Sequence, residues 1–253
     1  MAGMKQILLI LAVAALVGGC ASTPKVTPNS PKAKAEIKAA IEAAVREAAE
    51  KPTGKLTEAD REKLTTLLLF GKKLTSVKGL EKLTQLRGLK LDANQLTSVK
   101  GLEKLTQLEW LSLHYNQLTS VKGLEKLTKL ENLYLHYNQL TDVPKGLENL
   151  TKLKTLYLHH NKLTDVKGLE KLTQLGVLYI QHNQLTDVKG LEKLTQLTHL
   201  NLSENQLTEV KGLEKLTQLK YLWITDNPDL TKAQIDELKK ALPNCKIYSI
   251  PKK

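Results

Sequence analysis

The histidines of this chain recur in a pattern that could support chemistry. His114, His136 and His159 are separated by 22 and 23 residues, and His182 follows His160 after another 22. Imidazoles brought together in this way could share a metal ion or sense pH near neutrality. No thiol or carboxylate converges on them in the sequence pattern, so we predict neither a metal site nor a cofactor.

Tyrosines and tryptophans recur at the same intervals. All six histidines, both tryptophans and six of the seven tyrosines follow this spacing. The predicted ligand-binding residues are Trp110, His114, Tyr115, Tyr134, His136, Tyr137, Tyr157, His159, His160, Tyr179, His182, His199, Tyr221 and Trp223. Tyrosine and tryptophan offer large amphipathic contact areas and are enriched at binding hot spots. A binding surface is therefore predicted, the alternative being that these rings serve only for packing between neighbouring strands.

The sequence contains no recognisable catalytic motif. Paired carboxylates, a nucleophile elbow, a phosphate loop and a zinc-binding helix are all missing from it. We therefore predict that the protein is not an enzyme.

The charge is strongly positive, with 38 lysines and arginines against 26 acidic residues and a net charge of +12. Such a balance would usually suggest nucleic acid as a partner. Much of the excess lies in repeated VKGLEKLTQL segments, where lysine and glutamate alternate as on a solvated surface. We therefore predict no nucleic-acid partner. The 41% hydrophobic content also excludes a disordered chain.

An asparagine repeat defines the elements that must position these residues. It comprises Asn94, Asn116, Asn138, Asn161, Asn183, Asn205 and Asn227, at intervals of 22 except for one of 23 that contains the extra Pro144. A period this regular indicates a solenoid. In each LxxLxLxxNxL unit, the LxL alternation predicts a short strand with leucines on one face. The other face carries the aromatic set, together with residues such as Asp92.

These units resemble the bacterial 22-residue leucine-rich repeat family, with internalins as the nearest named relatives. The resemblance covers about eight coils, residues 64–230. It implies an α/β solenoid with parallel strands on a concave face and irregular or 3₁₀ segments on the convex side. It also implies a binding scaffold. An asparagine amide can both donate to and accept from buried backbone groups, so we predict a structural role for the ladder. Asn227, next to the end of the stack, is expected to be more accessible than Asn138.

Both open ends of a solenoid need a cap. Residues 36–63 are predicted to form a helical N-terminal cap, with Thr57 and Asp60 opening its second helix. Residues 231–253 are predicted to form a C-terminal cap of one helix and one strand. Thr231 and Gln234 would make a capping box at the start of that helix. The glycine that recurs in each return segment is expected at a tight bend with positive φ.

The beginning of the chain predicts export and anchoring. Residues 1–19 read as a signal peptide whose apolar run, residues 7–17, is too short to span a bilayer. LVGGC resembles the lipobox of bacterial lipoproteins, which implies lipidation of Cys20. Residues 20–35 are rich in proline and predict an extended tether.

The resulting hypothesis is a monomeric module in the cell envelope, at the outer membrane or the extracellular face. A lipid would hold it to the membrane, and its concave face would bind a protein or a glycan. Two alternatives remain open. The protein could be an envelope spacer without a specific ligand, or an intracellular regulatory subunit if the signal is misread.

Overall fold

The computed structural model describes residues 30–250. The predicted signal peptide, Cys20 and most of the predicted tether lie outside the described residues. The chain divides into two units, and of the first, Met1–Lys34, only residues 30–34 are described. The second unit, Ala35–Lys253, carries the solenoid. Within residues 30–250, no helix is long and apolar enough to cross a membrane.

Parallel strands, one per coil, form a single open sheet. They are β1 (Thr66–Leu68), β2 (Gly88–Lys90), β3 (Trp110–Ser112), β4 (Asn132–Tyr134), β5 (Thr155–Tyr157), β6 (Val177–Tyr179), β7 (His199–Asn201), β8 (Tyr221–Trp223) and β9 (Lys246–Tyr248). Each strand pairs with the next along the chain, so the spatial order is the sequence order. The register aligns equivalent repeat positions, for example Leu89 with Leu111. This topology confirms the predicted solenoid.

Leucines from successive coils fill the interior. Both leucines of each LxL unit in the central coils, such as Leu133 and Leu135 of the β4 coil, are completely buried. Neighbouring strands lie about 4.8 Å apart, so equivalent leucines stack in continuous rows. Full burial of one leucine side chain contributes about 1.5–3 kcal/mol. The rows of leucines therefore hold the stack together. Because side chains alternate along a strand, the residues next to these leucines face outward.

The asparagine ladder has the predicted structural role. Asn138 donates from Nδ2 to the carbonyl oxygens of Leu113 and Leu135, both at 3.0 Å. Its Oδ1 accepts from the Leu118 amide at 2.9 Å. The same amide thus joins two consecutive coils. The expectation for Asn227 was wrong, because its side chain is only 1% exposed beneath the C-terminal cap and makes the equivalent bonds.

The return segments on the convex side contain short 3₁₀ turns. These turns are Leu80–Lys82, Leu102–Lys104, Leu124–Lys126, Leu147–Asn149, Leu191–Lys193 and Leu213–Lys215. As predicted, the glycine before each turn has a positive φ, for example 113° at Gly101. The Gly101 amide donates to Oε2 of Glu103 at 2.6 Å. This bond recurs in the other coils, so the repeated glutamate is a local cap as well as a surface charge.

The caps have the predicted composition. At the front lie α1 (Pro31–Ala48) and α2 (Glu58–Glu62), the latter opened by the Thr57–Asp60 capping box. At the back lies α3 (Lys232–Ala241), opened by Thr231 and Gln234 and followed by β9. α1 begins inside the segment predicted as tether, because Ser30 Oγ accepts from the Ala33 amide and Pro31 suits the first helical position.

Candidate binding face

Four outward positions in each coil define the concave face. Two of them flank the first leucine of the LxL unit, and the other two follow its second leucine. They form four columns along the stack. Column one is Gly88, Trp110, Asn132, Thr155, Val177, His199, Tyr221 and column two is Lys90, Ser112, Tyr134, Tyr157, Tyr179, Asn201, Trp223. Column three is Asp92, His114, His136, His159, Gln181, Ser203, Thr225 and column four is Ala93, Tyr115, Tyr137, His160, His182, Glu204, Asp226. All fourteen predicted binding residues lie in these columns.

Column three contains a stack of three imidazoles. The ring centroids of His114 and His136 are 4.3 Å apart, and those of His136 and His159 are also 4.3 Å apart, with interplanar angles of 10° and 18°. Nδ1 of His136 and Nδ1 of His159 are buried and have no hydrogen-bond partner. Burial, together with repulsion from neighbouring imidazoles, lowers the pKa of His136 to about 3 and that of His159 to about 4. Both rings are therefore neutral at physiological pH.

Column four contains a second stack built on an uncommon backbone conformation. Tyr115, Tyr137, His160 and His182 all have φ of 52–54°, a region that bulky residues rarely occupy. Their successive ring centroids are 4.2, 4.1 and 3.9 Å apart. At one end of the stack, Nδ1 of His182 lies 2.8 Å from Oε2 of Glu204. The same positive φ recurs at Ala93, Glu204 and Asp226, and in the four coils that carry a ring at this position the shared backbone conformation lets the rings stack in one orientation.

The two tryptophans differ in their surroundings. Trp223 stacks on Tyr221 at 5.7 Å and on Tyr248 at 5.4 Å. Trp110 rests on the backbone of Gly88 and has no aromatic or cationic partner among residues 30–250. The seventh tyrosine, Tyr248, was left out of the predicted set. The CKIYSI segment, which predicts a closing strand, could have shown that it continues column two.

Not every outward position is accessible. Asp92 is 0% exposed, and neither of its carboxylate oxygens makes a hydrogen bond of good geometry. Lys90 Nζ lies 3.5 Å from Oδ2, and His114 Nδ1 lies 3.1 Å from Oδ1. Ser112 is also buried, and its hydroxyl is 2.9 Å from His114 Nδ1. The larger neighbours in adjacent columns cover these small side chains, which sequence alternation alone does not reveal.

The first coil adds residues that the predicted set missed. Leu68 and Phe70 continue columns two and three in front of Lys90 and Asp92, and are 58% and 57% exposed. Lys90 Nζ lies 5.6 Å from the centre of the Phe70 ring. The register of LLLFGKKL with the later units could have identified both residues.

The central part of the face is free of lysine, arginine and acidic side chains. Four outward positions on each of the coils of β3, β4, β5 and β6 contain no lysine, arginine, aspartate or glutamate. In the whole chain, by contrast, 25% of the residues are charged. Residues 30–250 hold no group of three or more histidine, cysteine or acidic side chains arranged to bind a metal ion. The stacked rings present edges bearing hydroxyl and imidazole groups, an arrangement suited to contact with a large surface.

Comparisons with known proteins agree with this architecture. The family model described as leucine rich repeat matches residues 128–185, and the model described as leucine rich repeats in two copies matches 106–149 and 195–240. Internalin C2 of Listeria monocytogenes is 31% identical with a TM-score of 0.77, over 83% of this chain and 92% of its own. The chain belongs to the leucine-rich repeat family. Its repeats are of the bacterial, internalin-like kind.

Two further solved leucine-rich repeat structures are similar. An internalin, InlF, of Listeria monocytogenes is 25% identical over 85% of this chain and 75% of its own, with a TM-score of 0.68. A leucine-rich repeat protein of Leptospira interrogans is 28% identical over 74% and 62%, with a TM-score of 0.54. No protein of curated function matches the sequence closely enough to be recognised. Membership of this repeat family identifies the chain as a scaffold of the protein-binding kind.

Proposed function

We propose that this leucine-rich repeat protein is a recognition module of the bacterial cell envelope. A lipid on Cys20 holds it to the membrane, and the concave face of the coils of β3 to β6 binds a partner protein. The proline-rich stretch that follows Cys20, predicted as a tether over residues 20–35, connects this anchor to the solenoid.

The aromatic centre of the concave face, which has no lysine, arginine or acidic residue, is the observation that carries this proposal. Its outward positions hold tyrosine, histidine, tryptophan, asparagine, serine, threonine, valine and glutamine. Such amphipathic and small polar residues are typical of surfaces that bind proteins, including antibody paratopes. The return segments on the opposite side repeat almost unchanged from coil to coil, which is typical of a scaffold.

Pre-organisation of the rings supports the same proposal. Tyr157 stacks on Tyr179 with centroids 4.7 Å apart and meets Tyr134 edge to face at 5.1 Å. Side chains already held by their neighbours lose little conformational entropy on binding. A partner docking across these coils would therefore retain more of its interaction energy as affinity.

A binding experiment with matched variants tests the proposal. The full chain is used to capture its partner from an envelope fraction, and the Kd of the purified pair is then measured. Hot-spot aromatics contribute about 2 kcal/mol or more each, so Tyr134→Ala combined with Tyr157→Ala should weaken binding at least about a hundredfold. The control, Lys126→Ala combined with Lys171→Ala, changes exposed lysines on the convex side and should leave the Kd nearly unchanged.

Other results would replace parts of the proposal. Loss of binding in the lysine variant but not in the tyrosine variant would move the site to the basic convex side. If the captured material contained a glycan and still bound after its protein had been digested, the ligand would be a carbohydrate and not a protein. Failure to capture any partner would favour a structural role in the envelope, and binding unaffected by either variant would move the site elsewhere on the protein.

A further inference from the structure

Exposed apolar side chains cluster at the front of the concave face. Within residues 30–250, the exposed large apolar residues are Leu68, Phe70, Tyr115, Tyr221 and Ile250. Leu68, Phe70 and Tyr115 belong to the first three coils of the same face. Exposed apolar side chains gathered on one face in this way mark an interaction site more often than isolated ones do.

The stack in column four has an open end at this patch. One face of the Tyr115 ring is covered by Tyr137 at 4.2 Å, and Tyr115 is 51% exposed. The next two positions in the column are Ala93 and Gly71, whose side chains cannot cover its other face. One coil spacing of about 4.8 Å leaves room for a ring at the level of Ala93. We call this the open rung.

The charges around the open rung are positive. Lys72 and Lys73 are exposed in the turn after β1, and Lys90 lies over Phe70. The acidic residue at this end of the face, Asp92, is fully buried, and its Oδ2 lies 3.5 Å from Lys90 Nζ, so these two charges offset each other and the excess positive charge comes from Lys72 and Lys73. At the opposite end of column four, Glu204 and Asp226 are exposed. A ligand group seated at the front is therefore favoured if it carries negative charge beside an apolar ring.

We infer that the open rung receives an aromatic side chain of the partner protein, next to an acidic residue of the same segment. The ring stacks on Tyr115 above Ala93 and contacts Phe70, while the carboxylate lies near the front lysines. This inference rests on the proposed function, because it assigns one subsite of the same concave face.

Filling the open rung provides a direct test. Ala93 already has φ of 52°, the conformation that Tyr115 and Tyr137 adopt, so Ala93→Tyr should extend the stack and keep the fold. Ala93→Gly leaves the rung open and is the matched control. The probes are random heptapeptides displayed on phage and selected against the full chain, followed by Kd measurements on the selected peptides.

The wild-type protein should select peptides with an aromatic residue beside aspartate or glutamate. Ala93→Tyr should weaken their binding at least about tenfold, and Ala93→Gly should not weaken it. Tyr115→Ala removes the stacking wall and should cause the same loss, with thermal melts confirming that each variant folds. The combined Lys72→Gln and Lys73→Gln variant should weaken acidic peptides more than their amide counterparts.

Two results would overturn the inference. Selected peptides without an aromatic residue, or equal binding to the wild type and Ala93→Tyr, would show that the rung is not used. If Tyr134→Ala with Tyr157→Ala still abolished binding, the proposed concave-face function would stand without this subsite. Peptides that bind all concave variants equally would contradict both.

Discussion

The indole of Trp110 lies directly over Gly88 on the neighbouring strand. A methyl group on Gly88 would be 2.2 Å from Cε2 and 2.3 Å from Nε1 of Trp110. Because Gly88 has no side chain, the Trp110 ring can lie against the sheet at this position. Gly88 therefore positions Trp110, which is one of the predicted ligand-binding residues.

Gly88→Ala should displace the Trp110 ring. Overpacking of this kind typically costs about 1–3 kcal/mol, and we expect a loss of stability in that range with a shift in the Trp110 indole signal by NMR. Gly176→Ala is the control, since its nearest neighbour would be a backbone oxygen at 3.7 Å. Equal stability of both variants, with an unchanged indole signal, would contradict the close approach.

The contribution of the asparagine ladder to the free energy of unfolding should differ between positions along the stack. Asn138→Ala removes the partner of three backbone groups and should cost about 3 kcal/mol, because each unpaired buried group costs about 1–3 kcal/mol. Asn161 is the half-buried member of the ladder, so Asn161→Ala should cost less. Asn138→Asp should be no milder than Asn138→Ala, since a carboxylate cannot donate to the two carbonyl groups. Urea unfolding of the variants measures these differences, and an equal cost at both positions would be inconsistent with the burial.

The imidazole stack should make the fold sensitive to acid. Since the pKa values of His136 and His159 are lowered from 6.5 to about 3 and about 4, folding favours their neutral forms. Their contribution to stability is complete above pH 6.5 and is lost progressively as the pH falls from 6.5 through about 4 towards 3. His136→Phe with His159→Phe should flatten the fall in unfolding free energy between pH 6 and 4, relative to the wild type. Parallel curves for both proteins would show that these rings are not the source.

The two tryptophans should separate stability from binding. Trp223 stacks on both Tyr221 and Tyr248, and aromatic pairs contribute about 0.5–1.5 kcal/mol each, so Trp223→Ala should lose about 2 kcal/mol. Trp110→Ala should change stability less, because the ring has no aromatic partner, but should reduce affinity for the partner. Trp223→Phe, which keeps an aromatic ring, is the control. Denaturant melts and Kd measurements on both variants check these expectations. A larger loss of stability in Trp110→Ala than in Trp223→Ala would contradict them.

Cys20 is the proposed site of lipidation near the start of the chain. Wild-type protein expressed in bacteria should enter the detergent phase on Triton X-114 partition, and Cys20→Ala should remain in the aqueous phase or be retained uncleaved. Cys245→Ala is the control, because that thiol is half-buried at the C-terminal cap and burial raises its pKa. A wild-type mass with Met1 present and no lipid would remove the envelope assignment.

Repetition made the architecture predictable from the sequence. Leucine, asparagine and glycine recur at fixed positions, and each performs its role within one coil or between adjacent coils. The LxL pattern therefore predicts the strands, the asparagine the buried amide, and the glycine the positive φ. Because every interior contact repeats at a short distance along the chain, the fold follows from local rules.

The character of the binding face depended on the tertiary structure. The sequence placed Trp110 and Trp223 in equivalent roles, but Tyr248 of the cap covers one of them and only Gly88 lies beneath the other. It likewise showed Asp92 facing outward, whereas its neighbours in adjacent columns bury it completely. Exposure, ring stacking and the open end at Tyr115 depend on which side chains meet across coils, and hence on the sizes of residues about 22 positions apart.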